Sequence, residues 1–301
     1  RGFYRPLLVA ATLLAFCVVG LGAYVRLSDA GLGCPDWPGC YGHLTPSGAL
    51  QNADAVNAAY PERPLEVGKA WKEMLHRYLA SGLGLLILAL AAVAWSNRDD
   101  ARQPRVLPFV LVGLVVFQGL LGMWTVTLLL KPFIVTAHLA GGLATMSLLW
   151  WLALNPTRTT RPAGEAGLRR LAVLALGVLA LQILLGGWVS TNYSAVACPD
   201  FPTCQRSFWP EMDFRDAFVL WRGLGIDYEG GVLDHPARVA IHVAHRLGAL
   251  VAACVLGLTA FLAVRRASSR AVRMAGAAVA TALAAQLVLG PVMVLETFPL
   301  P

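Results

Sequence analysis

The chain has 301 residues, of which 57% are hydrophobic and only 14% charged. A soluble domain carries roughly a quarter charged residues, so this composition excludes an ordinary water-facing globule. The net charge of +7 forms no basic stripe interleaved with aromatics, which argues against nucleic acid as a partner and points to membrane lipid as the surroundings.

Taken in chain order, seven apolar runs follow one another: Leu7 to Val25, Leu79 to Trp95, Val106 to Leu130, Phe133 to Leu154, Leu171 to Val189, Val239 to Val264 and Val272 to Leu295. Each reaches or approaches the ~20 residues that cross a bilayer as helix. An all-α polytopic membrane protein is therefore expected. The first run is not a cleaved signal peptide, because six more follow and no small-residue cleavage pattern ends it. One set of connections holds Arg1, Arg5, Arg98, Arg102, Arg105, Arg158, Arg161, Arg169, Arg170, Arg265, Arg266, Arg270 and Arg273 against only Asp99, Asp100 and Glu165. The other side holds 11 basic and 14 acidic residues. The positive-inside rule then makes the first set, with the N-terminus, cytoplasmic. The long loops 29–70 and 191–236 face the periplasm of a bacterial inner membrane, where thiols can oxidise.

The chain repeats itself. Cys34-Pro-Asp-Trp-Pro-Gly-Cys40 recurs 164 residues later as Cys198-Pro-Asp-Phe-Pro-Thr-Cys204, and Gly22 and Val25 match Gly186 and Val189 at that same offset. His76-Arg77 matches His245-Arg246, and Gln118-x-x-Leu-Gly matches Gln286-x-x-Leu-Gly. Four signals in register indicate a duplication into two pseudosymmetric four-helix bundles, residues 1–160 and 161–301. An even number of spans per half gives both halves one orientation. Only three spans fall in the second half, so the chain is expected to be C-terminally truncated. An eighth span, with a histidine near position 306, is expected beyond it.

Three histidines lie in spans. His76, His138 and His245 each fall a few residues into a helix that enters from the outer side, so they share one depth. Two histidines on two helices in each half is the arrangement of bis-histidine haem, with imidazoles approaching iron from opposite faces. Small residues follow each: Ala80, Ser81 and Gly82; Ala140, Gly141 and Gly142; Gly248 and Ala249. They leave room for a porphyrin but also permit close helix packing. Interhelical hydrogen bonding is the bland alternative for any one of these histidines. Copper or zinc fits less well, since neither half gathers three or four ligands.

Glu73 stands one turn before His76 on the same face. It reads either as an interfacial carboxylate paired with Lys69, Lys72 or Arg77, or as a proton-handling group beside a haem. His242 holds the aligned position in the second half, which makes the first half the candidate catalytic one. Arg77 and Arg246 suit bidentate pairing with haem propionates or snorkelling to headgroups. Cys34/Cys40 and Cys198/Cys204 each close a short loop. A disulfide there contributes roughly 2–2.5 kcal/mol, as a staple or as a reducible redox pair. Cys17 and Cys254 read as small apolar packers within spans, and Phe208 to Tyr228 as an interfacial segment.

Taken together, Gly22-Ala-Tyr-Val-Arg-Leu-Ser-Asp-Ala-Gly-Leu-Gly-Cys-Pro-Asp-Trp-Pro-Gly-Cys40, Glu73-Met-Leu-His76-Arg77, Thr136-Ala-His138-Leu and His242-Val-Ala-His245-Arg246 resemble the haem A synthase family over essentially the whole chain. The resemblance implies eight helices and a haem near the outer side of each half. It implies oxidation of the C8 methyl of haem O to a formyl group, giving haem A for cytochrome oxidase. By the same resemblance His76 and His138 flank the substrate haem O, and His245 holds haem b as cofactor. Glu73 matches the family's functional carboxylate. Cys34 with Cys40 and Cys198 with Cys204 match its cysteine pairs. The implied partners are haem O synthase, the cytochrome oxidase assembly route and an electron partner that the sequence does not identify. Rival readings are a bis-histidine cytochrome that only carries electrons, a duplicated transporter and a thiol oxidoreductase. The clustering of polar groups near one face argues against the transporter, and the third rival leaves the histidines unexplained.

Overall fold

The computed structural model describes residues 3–100, 103–154 and 166–296. Arg1, Arg102, Arg158, Arg161 and Glu165, and the expected boundary between residues 160 and 161, lie outside that set. Among the described residues there is no β-strand. Ten α-helices are described: α1 (Tyr4–Leu27), α2 (Pro46–Leu50), α3 (Ala53–Ala59), α4 (Val67–Ser96), α5 (Leu107–Thr127), α6 (Pro132–Ala153), α7 (Ala166–Thr191), α8 (Phe214–Ala217), α9 (His235–Arg266) and α10 (Arg270–Leu295). Seven of them, all but α2, α3 and α8, are long and apolar enough to cross a membrane. Their outward faces carry exposed leucine, valine and phenylalanine, such as Leu85, Phe117, Leu250 and Val288. Lipid replaces water as the solvent for such faces. This is an all-α, multi-pass membrane protein.

Two helices are longer than their apolar runs. α4 begins at Val67 and α9 at His235, so α4 is about 45 Å long. Their first turns are mixed in polarity because they carry the cysteine loops as well as the span. α5 stops short of its run: Leu129 and Leu130 adopt φ of 51° and 58°. Such left-handed backbone is unfavourable for leucine, and here it closes a tight turn before Pro132 opens α6. Cys17 and Cys254 differ from expectation. Both are exposed on their helices rather than packed inside, which an apolar thiol tolerates against lipid.

The chain divides into two compact units, Arg1–Thr159 with Gly223–Asp227, and Thr160–Arg222 with Tyr228–Pro301. In the first, α1 packs on α4 and α6, and α5 packs on α4 and α6, which closes a four-helix ring. Its core lies at one end, where Leu8, Ala11, Ala15, Leu83, Ile87, Leu90, Leu111 and Leu149 meet. The cysteine loop covers the opposite end, with Cys34, Cys40, Tyr41, Ala49, Val56, Ala70 and Met74 packed as a separate cluster. Segment 223–227 is held to this unit by an Arg63–Asp227 ion pair and by Lys131 Nζ donating to the Gly223 carbonyl. In the second unit α9 packs on both α7 and α10. Its loop end is filled by Trp188, Ala217, Leu233, Ala237 and Ile241, with Trp188 Nε1 donating to the Ala217 carbonyl at 2.9 Å.

Candidate haem site

The core of the first unit stops short of the loop end, and that is where the histidines sit. His76 on α4 and His138 on α6 face each other with ring centroids 6.5 Å apart and planes at 80°. Glycines on the other two helices of the ring meet them. A Cβ added at Gly22 on α1 would lie 2.9 Å from His76 Cε1, and one at Gly122 on α5 would lie 3.5 Å from His138 Cε1. The Nδ1 atoms of both histidines are buried without a hydrogen-bond partner. Unsatisfied buried polar atoms cost free energy, so two of them on neighbouring rings point to a site built to hold something. Gln118 Nε2 on α5 donates to the His138 main-chain carbonyl at 2.8 Å, which fixes the depth of α6 against α5.

These residues fit a haem. Metal–imidazole bonds of about 2 Å on either side of one ion put the ring centres roughly 6 Å apart, close to the spacing found. Among the described residues no group of three or more His, Cys, Asp or Glu gathers as a metal site. In the first unit His76 and His138 are the residues that would hold a haem iron. In the second unit His245 on α9 is faced by Gly186 on α7, whose added Cβ would lie 3.1 Å from His245 Cε1. Gln182 Nε2 lies 3.0 Å from His245 Nδ1 and 3.1 Å from the His245 carbonyl.

Glu73 is buried, with 4% of its surface exposed. One carboxylate oxygen accepts from the Cys34 main-chain N–H at 2.9 Å, and the other pairs with Arg77. Of the three candidate partners, Arg77 is the one that takes it. Lys69 pairs with Glu66, and Lys72 lies over the Tyr24 ring. His242, at the aligned place, is also buried and lies 3.0 Å through Nδ1 from the Ser194 carbonyl. Both positions thus tie α4 or α9 to the chain entering a cysteine loop.

The two arginines do the same work. Arg77 Nη1 donates to the carbonyls of Asp36, Pro38 and Gly39. Arg246 donates to those of Cys198, Asp200, Pro202 and Thr203. The guanidinium fork clamps the loop backbone, a use that neither propionate pairing nor snorkelling anticipates. Each loop is closed by a disulfide, Cys34–Cys40 and Cys198–Cys204. Each is finished by an aspartate. Asp36 accepts from the amides of Tyr41 and Gly42, and Asp200 from those of Gln205 and Arg206. The side chain offsets the positive φ of Tyr41, Gln205 and Arg206, since a carboxylate cradling successive amides stabilises such turns. The Cys-Pro-Asp signal was legible in sequence, but the reason for its Asp was not.

The Asp200 carboxyl is held below the usual range, first by the Thr203 hydroxyl and then by the two amides. A depressed carboxylate contributes stability above its ordinary pKa of about 4 and loses it as pH falls through the lower folded value. The protection of the Gln205 and Arg206 amides against hydrogen exchange, relative to the unstructured rate at each pH, is therefore expected to hold from neutral pH down to about 4 and to fall below it. Equal protection at every pH would contradict the clasp.

A family model described as cytochrome oxidase assembly protein (COX15-CtaA) matches residues 5–301. The chain belongs to this cytochrome oxidase assembly protein family. Among curated members, the protein named heme A synthase from Shewanella oneidensis is 44% identical over 258 residues, 85% of this chain and 77% of that relative. Its namesake from Sphingopyxis alaskensis is 31% identical over 310 residues, covering 93% and 80%. The one from Paracoccus denitrificans is 27% identical over 333 residues, covering all of this chain and 82% of the relative. The family match runs through both cysteine loops and all three span histidines, so the geometry above belongs to the part that the family shares.

Proposed function

We propose that the chain is a haem A synthase, a membrane oxidoreductase that converts haem O to haem A for cytochrome oxidase. The observation that carries this reading is the His76–His138 pair, 6.5 Å between centroids in a ring of glycine-faced helices, in a chain 44% identical to a heme A synthase. In this reading residues 1–160 form the catalytic half, where His76 and His138 hold haem O, and residues 161–301 form the half where His245 holds haem b. The repeated loops support two like-oriented, pseudosymmetric halves. When bound, the haem supplies the redox chemistry. The side chains orient it and keep water out.

Glu73 is assigned the proton-handling role at the C8 methyl. Its burial and its place one turn from His76 support this. Arg77 and Arg246 act through the loops that they clamp. The arginine-rich connections support a bacterial inner membrane with the N-terminus cytoplasmic and the cysteine loops periplasmic. Haem O arrives from its synthase, and haem A leaves toward oxidase assembly.

The test is expression of the full-length protein with a haem O supply, followed by extraction of the haems. Haem A in the extract supports the reading. Bound haem b with no haem A in any fraction favours the electron-carrying cytochrome instead.

A further inference from the structure

We infer that Gln118 and Gln182 are positioning residues of one kind: each pins the helical turn that carries a span histidine, and so aims His138 and His245 at iron. This rests on the haem reading above and adds to it what fixes the two ligand-bearing turns.

Gln118 Nε2 on α5 donates to the His138 carbonyl on α6 at 2.8 Å. Gln182 Nε2 on α7 donates to the His245 carbonyl on α9 at 3.1 Å. α6 has 22 residues and α9 has 32, yet in each helix the carbonyl so gripped is the histidine's own. A glycine stands three residues after each histidine, Gly141 and Gly248. Helical Cβ atoms lean toward the N-terminus, so a side chain at that place would cover the carbonyl that the amide takes. A Cβ at Gly141 would collide with Oε1 and Cδ of Gln118, and one at Gly248 with Oε1 of Gln182. Each site is therefore a socket, made of one glutamine and the glycine of a His-x-x-Gly turn.

The duplication does not account for the two occurrences. In the repeat Gln118 matches Gln286 on α10, and Gln182 matches Val18 on α1. The same socket thus stands at places that are not equivalent, and what the two places share is a histidine. His76 is held in another way, by the Val18 main-chain carbonyl at its ring. Nor does stability explain the amides. Both Oε1 atoms are buried without a hydrogen-bond partner, a cost that leucine at the same places would avoid. Polar groups that carry such a cost in an apolar span mark function.

A helical carbonyl has a second lone pair beyond the one its own helix uses, so the amide bond adds to the helix without opening it. It fixes the histidine Cα in height and rotation relative to the neighbouring helix, and ligand groups need placing within about 0.5 Å. The Gln182 amide also donates to His245 Nδ1 at 3.0 Å. Iron at Nε2 puts the ring proton on Nδ1, which ends that bond and leaves the one to the carbonyl. The main-chain bond is thus the contact that serves both histidines when they ligate.

The test uses the full-length protein in detergent, loaded with haem, and reads ferric low-spin EPR, whose g-values follow the angle between the two imidazole planes. His138→Ala and His245→Ala assign the signals to the units. Gln118→Met and Gln182→Met keep the volume and remove the donor. Each is expected to shift the g-values of its own unit's haem and to weaken that haem's binding by about 10-fold, the low end for partners behind a ligand. Gly141→Ala is expected to match Gln118→Met, because the added methyl evicts the flexible end of the glutamine, and the double variant is expected to go no further than either. If the Met variants keep the parent g-values and affinity, whatever their unfolding midpoints do, the glutamines are plain helix-packing bonds and the haem reading stands. If His138→Ala and His245→Ala leave the signals unchanged, the haem reading fails and takes the inference with it.

Discussion

His76→Ala and His138→Ala are each expected to abolish haem A formation with little change in the stability of the folded protein. The usual cost of truncating a buried side chain is lost packing plus lost hydrogen bonds. Here each imidazole carries a buried Nδ1 without a partner, and both rings lie apart from the leucine-rich core of their unit. Deleting a buried, unsatisfied polar atom removes a liability, so the two effects on stability largely cancel. Groups that weaken the apo fold but persist at a site are expected where function demands them. The measurement pairs extracted-haem analysis with thermal unfolding in detergent. Loss of activity with an unchanged unfolding midpoint supports the ligand assignment. Haem A at the parent level in either variant sinks it.

How much of this was legible in the sequence follows from the range of each interaction. The spans were readable because a bilayer imposes a length and a composition on every helix that crosses it. The starts of α4 and α9 were not, because Val67 to Tyr78 and His235 to Val239 belong to the cysteine-loop packing as much as to the membrane. The turn at Leu129 and Leu130 reads as apolar span, and its left-handed backbone leaves no mark in hydropathy. The histidines could be found because each falls a few residues into an apolar run. Their mutual distance could not, nor could the carbonyls gripped by Arg77 and Arg246, which lie about forty residues away in sequence.

Glu73 decides between two accounts of the carboxylate, and two substitutions separate them. Glu73→Ala removes one member of a buried pair. It leaves Arg77 with the Asp36, Pro38 and Gly39 carbonyls but without a counter-charge, and it orphans the Cys34 amide. Breaking a buried ion pair costs roughly 3–5 kcal/mol. The carbonyl partners of Arg77 place this case at the low end, about 3 kcal/mol, enough to loosen the whole Cys34–Cys40 loop. Loss of activity in that variant is therefore ambiguous by itself. Glu73→Gln is the sharper probe. Its amide oxygen can still accept from Cys34 or from Arg77, though not from both, and Arg77 loses its counter-charge here too, so the cost is expected somewhat below that of the Ala variant, about 2 kcal/mol, with the side-chain volume kept and the proton-accepting carboxylate gone. If Glu73 handles a proton at the reacting methyl, the Gln variant keeps its loop protection in hydrogen exchange and its bound haem but makes no haem A. If Glu73 serves only to hold the loop, the Gln variant retains most of the activity and the Ala variant does not. The second outcome would move Glu73 from the chemistry to the framework, leaving the His76–His138 pair as the feature on which the site is built.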